Sequence, residues 1–161
     1  MNCQTTSIIL IATALLLAPN EGIAANCKLG AAVYGNIGGD YELRFGPEAV
    51  STIQNYSLHL VSSSQKIRLS GDIYWTNGYA VPRYTVVQNE QNEEEIAGSQ
   101  VYTFATSKSG RVIARDIGGL DSPAPPLILL PGLNDALWHS LNLRDTGGKP
   151  PNDLFYFARC P

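Results

Sequence analysis

The chain has 161 residues, with 11 Lys+Arg against 14 Asp+Glu, a formal net charge of −3, and 44% hydrophobic residues. This length predicts a single domain, and this apolar fraction is sufficient for a packed core, which excludes a disordered chain. The composition also excludes a collagen and a coiled coil, and the weakly acidic balance argues against a nucleic-acid partner, which would require a basic patch.

The first segment of the chain predicts export. A run of 11 residues from Ile8 to Ala18 is uncharged and apolar except for Thr13, and it is followed by the segment GIAA at 22–25, in which three of the four residues are small. A membrane-spanning helix needs about 20 apolar residues, whereas this run has the length of the hydrophobic part of a signal peptide. We predict that residues 1–25 are a cleaved signal peptide and that 26–161 form one exported β domain, secreted or periplasmic. No stable membrane span is expected after cleavage, and an uncleaved anchor is the alternative.

The cysteines predict a disulfide between the two ends of this domain. Cleavage removes Cys3 and leaves Cys27 and Cys160. Exported proteins with an even number of cysteines usually join them in disulfides. We expect neither a metal nor a cofactor, because the sequence contains no CxxC motif and no cluster of histidines.

Short strands are predicted along the first two thirds of the domain, where apolar residues recur at every second position. Tyr41, Leu43 and Phe45 share one face of a strand in this pattern. A second strand places Ser57 and His59 on the face opposite its apolar residues. Further strands are predicted at 66–69, 100–106 and 111–117, the last two joined by a four-residue hairpin loop.

The clearest hairpin signal is Asn77-Gly78 between two strand-like segments, because a type I′ turn needs positive φ at both central residues. A two-residue loop would place Asp72 opposite Arg83. Alternation would then put Tyr74, Tyr79 and Arg83 on one face of the hairpin and Trp75 on the other.

The last third of the domain departs from this pattern. The proline-rich segment 118–132 predicts an extended crossover over the core. Asn134 is the expected N-cap of a short helix that ends at Leu141, and a final, central strand is predicted at 154–158. The predicted fold is therefore an all-β, single-domain antiparallel sandwich, or a small barrel, of about eight short strands with one short helix near the C-terminal end.

Candidate catalytic chemistry is sparse. Asp135 precedes His139 by one helical turn, so the two side chains could form a pair in which the carboxylate orients the imidazole as a general base. No G-x-S-x-G nucleophile motif accompanies the pair. We assign no catalytic residue, and a small secreted hydrolase using Asp135 and His139 is the alternative function.

Binding is the preferred function. The chain has eight tyrosines and two tryptophans, and aromatic rings supply contact area at low entropic cost. Tyr74, Tyr79 and Arg83 are the predicted binding residues, with the rings contacting a sugar or a protein and Arg83 donating a charged hydrogen bond. The same face could instead pack into the core. We predict an exported, disulfide-bonded, non-enzymatic binding protein of inhibitor, accessory or glycan-binding type, whose partner is an exported protein or a glycan.

Overall fold

In the part of the chain that the structure describes, ten antiparallel strands and one α-helix make up the fold. The structure is a computed structural model that describes residues 26–38, 40–47, 56–76, 81–87, 95–106, 109–141, 143 and 147–161. The predicted signal peptide at 1–25 and the predicted binding residue Tyr79 lie outside the described residues.

The elements follow one another along the chain from a 3-10 helix at Leu29–Ala31. The strands are β1 (Val33–Asn36), β2 (Tyr41–Gly46), β3 (Tyr56–Ser62), β4 (Ile67–Tyr74), β5 (Arg83–Val87), β6 (Glu95–Gln100), β7 (Tyr102–Thr106), β8 (Val112–Arg115), β9 (Leu127–Leu129) and β10 (Leu154–Arg159). The helix α1 (Leu133–Ser140) lies between β9 and β10 in the chain.

The strands form a single sheet in the order β6-β5-β4-β3-β2-β1-β10-β9-β7-β8, which curls into a half-barrel. The prediction of an antiparallel all-β fold with one short helix is confirmed, and so is the central position of the last strand. The sheet has ten strands rather than about eight, and it is one sheet rather than two packed sheets. Three strands were missed: β1; β6, which only Val101 separates from β7; and β9, which lies in the proline-rich segment predicted as a crossover. The strand predicted at 66–69 and the first strand of the hairpin are one strand, β4.

The register of the β4–β5 hairpin differs from the prediction by two residues. Tyr74 lies opposite Arg83, and Ile73 lies opposite Tyr84, so the expected pairing of Asp72 with Arg83 is wrong. The observed register joins two fully buried side chains, Ile73 and Tyr84, and it leaves Pro82, which has no N–H to donate, outside the ladder. Because the shift is two residues, the side chains of β4 and β5 that are in this ladder stay on their predicted faces.

One face of the sheet, here called the inner face, carries the core. Tyr41, Leu43 and Phe45 are all buried on it, as their alternation predicts. Edge-to-face ring contacts run along this face from Tyr34 through Phe45 and Tyr56 to Trp75, and α1 covers it with Leu133 and Leu137. The opposite face is here called the outer face.

The helix α1 is capped from a distant part of the chain. It begins at Leu133, after Gly132 in the left-handed conformation (φ 81°), so Asn134 lies inside the helix and is not its N-cap. The carboxylate of Asp153 accepts hydrogen bonds from the backbone N–H of Gly132 at 2.9 Å and of Asn134 at 2.7 Å. This carboxylate satisfies the free N–H groups that a local cap would otherwise take.

Candidate functional site

Two of the three predicted binding residues are neighbours on the outer face. Tyr74 at the end of β4 and Arg83 at the start of β5 are directly opposite each other, and both side chains are half-buried. Ile73 is fully buried, and Trp75 packs against the core from the same face, so Tyr74 points away from the core. On its other side, Arg83 lies opposite Gln100 of β6.

A row of polar side chains lies next to this pair across three strands. Ser57, Asp72 and Thr85 occupy paired positions on β3, β4 and β5. Burial raises the pKa of the Asp72 carboxyl above its ordinary value of 3.8. The half-buried Asp72 carboxylate and Thr85 hydroxyl can exchange hydrogen bonds with the hydroxyls of a ligand, whereas Ser57 is buried at the end of the row. We call Asp72, Tyr74, Arg83 and Thr85 the polar outer surface.

This row could not be predicted from the sequence, because its members come from three separate strands. Period-two alternation predicts that Ser57 and Asp72 point away from apolar neighbours, but it does not predict which strands pair or in which register. Thr85 carried no signal of its own. The row could be found only once the β3–β4 and β4–β5 pairings were known.

Ser57 also contacts a histidine. Its Oγ lies 3.1 Å from Nε2 of His59, which is the contact a nucleophilic serine makes with its general base. However, Ser57 is only 5% exposed, so its hydroxyl is closed to a substrate in this structure. His59, which alternation places opposite the apolar residues of its strand, is half-buried.

The alternative catalytic pair lies on the surface of α1. Nε2 of His139 is 3.5 Å from Oδ1 of Asp135, and the two side chains are 73% and 85% exposed. The predicted contact is therefore present, and it is exposed to solvent. Such pairs contribute little to stability, and a catalytic role would need a nucleophile held beside the imidazole.

A second, apolar surface covers the other half of the outer face. Two rows of paired positions cross β10, β9 and β7 on this face. The first row consists of Tyr156, Leu127 and Phe104, and the second consists of Leu154, Leu129 and Tyr102. Tyr156 is 38% exposed, and the other five side chains are half-buried. We call these six residues the apolar outer surface. The strand order β10-β9-β7 assembles it from distant segments, so alternation within any one strand did not predict it.

A small basic cavity opens at the β3–β4 turn. Its volume is about 320 Å³, and its lining consists of Val61, Ser62, Ser63, Lys66 and Arg68. Lys66 adopts the left-handed conformation (φ 55°) at the end of the turn. Both charged residues of the lining are cations, so the cavity can attract an anion.

The predicted disulfide is present. Cys27 and Cys160 are bonded with a Cα–Cα distance of 5.9 Å and join the start of the described chain to the end of β10. Within the described ranges, no group of three or more His, Cys, Asp or Glu side chains is arranged to hold a metal ion. No helix found in those ranges is long and apolar enough to cross a membrane.

Comparison with known proteins gives no relative. No protein-family model matches the chain, and neither a curated protein nor a solved structure matches it. The surfaces of the fold are therefore the observations that bear on the function of the chain.

Proposed function

We propose that the protein is an exported, non-enzymatic binding protein that takes a glycan on its polar outer surface. The observation that carries this proposal is the cross-strand pair of Tyr74 and Arg83, half-buried and turned away from the core beside the paired Asp72 and Thr85. An aromatic ring, a guanidinium, a carboxylate and a hydroxyl within one surface suit the mixed chemistry of a sugar.

Each group has a defined role in such a complex. The apolar face of a pyranose ring packs on the ring of Tyr74, as apolar rings pack on aromatic side chains at other interfaces. Arg83 donates charged hydrogen bonds to ring or hydroxyl oxygens, and Asp72 accepts them from hydroxyl groups. Since these side chains belong to paired strands, the surface is largely formed before the ligand arrives, which lowers the entropic cost of binding.

The disulfide supports the exported location. Disulfides persist in secreted and periplasmic proteins and are rare in reducing compartments. Together with the apolar run at 8–18, the Cys27–Cys160 bond favours a protein that is secreted or periplasmic after removal of residues 1–25.

The test is binding of the mature protein to an array of neutral and acidic oligosaccharides, followed by titration of the strongest ligand. Tyr74→Ala and Arg83→Ala should each weaken binding by about 2 kcal/mol, roughly 30-fold in Kd, with unchanged thermal stability. Tyr156→Ala, which removes a tyrosine from the apolar outer surface, is the matched control and should leave the Kd unchanged. No signal on the array, or an equal loss in the control, contradicts the proposal.

A second candidate is an exported protein partner that docks on the apolar outer surface. Contiguous apolar patches on a soluble domain often mark protein interfaces, and this one contains three aromatic rings. Size-exclusion chromatography of a native extract, with mass spectrometry of co-eluting species, would identify a stable complex. Tyr156→Arg should dissociate that complex and Tyr74→Ala should not; the reverse result would assign the partner to the polar outer surface.

The hydrolase remains a distinct alternative, and it makes a separate prediction. If Asp135 and His139 act in catalysis, His139→Ala should abolish turnover of a substrate while leaving its binding detectable. The oligosaccharides bound in the array experiment are the substrates to assay for cleavage. Unchanged turnover in His139→Ala removes this alternative.

A further inference from the structure

The basic cavity at the β3–β4 turn concentrates positive charge in a chain whose net charge is −3. Lys66 and Arg68 both line it, and Ser62 and Ser63 supply hydroxyl groups beside them. A volume of about 320 Å³ is at the lower end of the range for small-molecule sites, so it suits a single functional group or one sugar unit.

The two cations are not neutralised by an acidic side chain of the described residues. None of the four ion pairs found there includes Lys66 or Arg68. One acid in register with Arg68 is Glu42, which lies opposite Val61, itself opposite Arg68. Glu42 already accepts hydrogen bonds from Arg44 and Arg159, both at 2.6 Å, and these contacts lower its pKa.

The turn that carries the cavity is held in place from two directions. Gln65 donates from Nε2 to the carbonyl of Lys149 at 2.9 Å and accepts from the N–H of Lys149 at 3.0 Å. The backbone N–H of Gln65 also donates to Oγ of Ser62 at 3.3 Å. A turn fixed in this way presents Lys66 with little ordering cost upon binding.

We propose that this cavity binds the anionic group of a ligand, namely a sulfate, phosphate or carboxylate, and that it makes the polar outer surface selective for acidic glycans. The second part rests on the proposed function. Arg68 and Tyr74 lie on the outer face of the same strand, so an extended chain following β4 would reach both. Along a strand that rises about 3.3 Å per residue, the two positions are about 20 Å apart, which is a length an oligosaccharide can span.

The experiment compares dextran, dextran sulfate and polygalacturonate as probes in titrations at low and raised ionic strength. Dextran and dextran sulfate share a backbone and differ in charge, and polygalacturonate distinguishes carboxylate from sulfate. Lys66→Gln and Arg68→Gln should each weaken binding of an acidic probe roughly tenfold, with a smaller effect at raised salt. Lys28→Gln removes the same charge elsewhere on the surface and should have no effect.

The outcomes separate the two proposals. The anion site is overturned if dextran binds as tightly as both acidic polymers, or if Lys28→Gln weakens binding as much as Lys66→Gln and Arg68→Gln do. Either result leaves the proposal of glycan binding intact. If no polymer binds, glycan binding fails, and titration with inorganic sulfate and phosphate, followed by the amide NMR signals of Ser63 and Lys66, decides the anion site alone. Saturable shifts that Arg68→Gln abolishes support the site, and their absence overturns it.

Discussion

Two buried tyrosines of the core, Tyr34 and Tyr84, differ in whether their hydroxyl has a hydrogen-bond partner. The hydroxyl of Tyr34 is buried without a hydrogen-bond partner among the described residues, whereas that of Tyr84 donates to the carbonyl of Pro131 at 2.8 Å. An unpaired buried hydroxyl costs free energy, and a paired one contributes about 1 kcal/mol. Both pKa values are raised by burial, so both groups stay neutral at physiological pH.

We therefore expect Tyr34→Phe to leave the free energy of unfolding unchanged or to raise it by about 1 kcal/mol, and Tyr84→Phe to lower it by about 1 kcal/mol. Both substitutions remove a tyrosine hydroxyl. The difference between the two variants in urea unfolding therefore measures the effect of the hydrogen bond that only Tyr84 makes. A larger loss for Tyr34→Phe than for Tyr84→Phe would contradict this assignment.

The carboxyl of Asp72 predicts a pH-dependent stability. Burial raises its pKa above the ordinary 3.8, so the folded state holds this proton more tightly than the unfolded state does. This carboxyl consequently lowers stability as pH rises from 3.8 through the raised pKa, and the loss persists at neutral pH. Asp72→Asn should raise Tm at neutral pH, and the gain should vanish in acid below 3.8.

Asp121 serves as a control because its pKa is shifted in the opposite direction to that of Asp72. A hydrogen bond from Lys28 lowers the pKa of this carboxyl, so its contribution is present above 3.8 and is lost as pH falls through the lowered pKa. Asp121→Asn should lower Tm at neutral pH, by a small amount because the pair is solvent-exposed. Thermal unfolding between pH 3 and 7 measures both variants, and shifts of the same sign would contradict the interpretation.

Among the elements, β4 and β5 approach closely at a glycine. A Cβ atom at Gly71 would overlap the carbonyl oxygen of Thr85 and would also press against Leu58. Since the overlap is with backbone, relief requires the strands to separate. Gly71→Ala should cost about 3 kcal/mol in urea unfolding and disturb the polar outer surface.

Gly119 provides the matched control for that substitution. No heavy atom lies within 4 Å of a Cβ built there, and its φ is not in the left-handed range. Gly119→Ala should therefore change stability by no more than about 0.5 kcal/mol. Equal stability of the two alanine variants would show that β4 and β5 are not as close as described.

At the scale of the whole molecule, the disulfide joins residues separated by 133 positions. In the chain-entropy model, a loop of this size destabilises the unfolded state by about 5 kcal/mol. The double variant Cys27→Ser, Cys160→Ser should lose up to about that amount in urea unfolding, and reduction of the wild-type protein should have the same effect. Two reactive thiols in the denatured, unreduced mature protein would show that the bond does not form.

The organisation of the outer face is also a property of the whole sheet. Strands β4 and β5 carry the polar outer surface, and β10, β9 and β7 carry the apolar one, with β3, β2 and β1 between them in the strand order. The two surfaces are separate, so one ligand on each is sterically possible. This separation lets Tyr74 and Tyr156 serve as controls for each other.

Part of this structure was predictable from local patterns. Alternation predicted the buried faces of β2 and β3, and the cysteine count predicted the Cys27–Cys160 bond. Asn77-Gly78 predicted that β4 and β5 pair, but the predicted register was wrong by two residues. The observed register instead places the buried side chains of Ile73 and Tyr84 opposite each other. The helix was expected where α1 lies, but the cap comes from Asp153, which no local rule could identify.

The sequence by itself determined the all-β class, the disulfide and the side of the hairpin on which Tyr74 and Arg83 lie. These depend on side-chain alternation and residue chemistry, which are local. The tertiary structure alone decided that the strands form one curled sheet, and that Ser57, Asp72 and Thr85 align beside that pair. It also decided that Lys66 and Arg68 share a cavity without an acidic partner among the described residues. Those features depend on strand order and register, which arise from long-range packing of the core and cannot be read from any one segment.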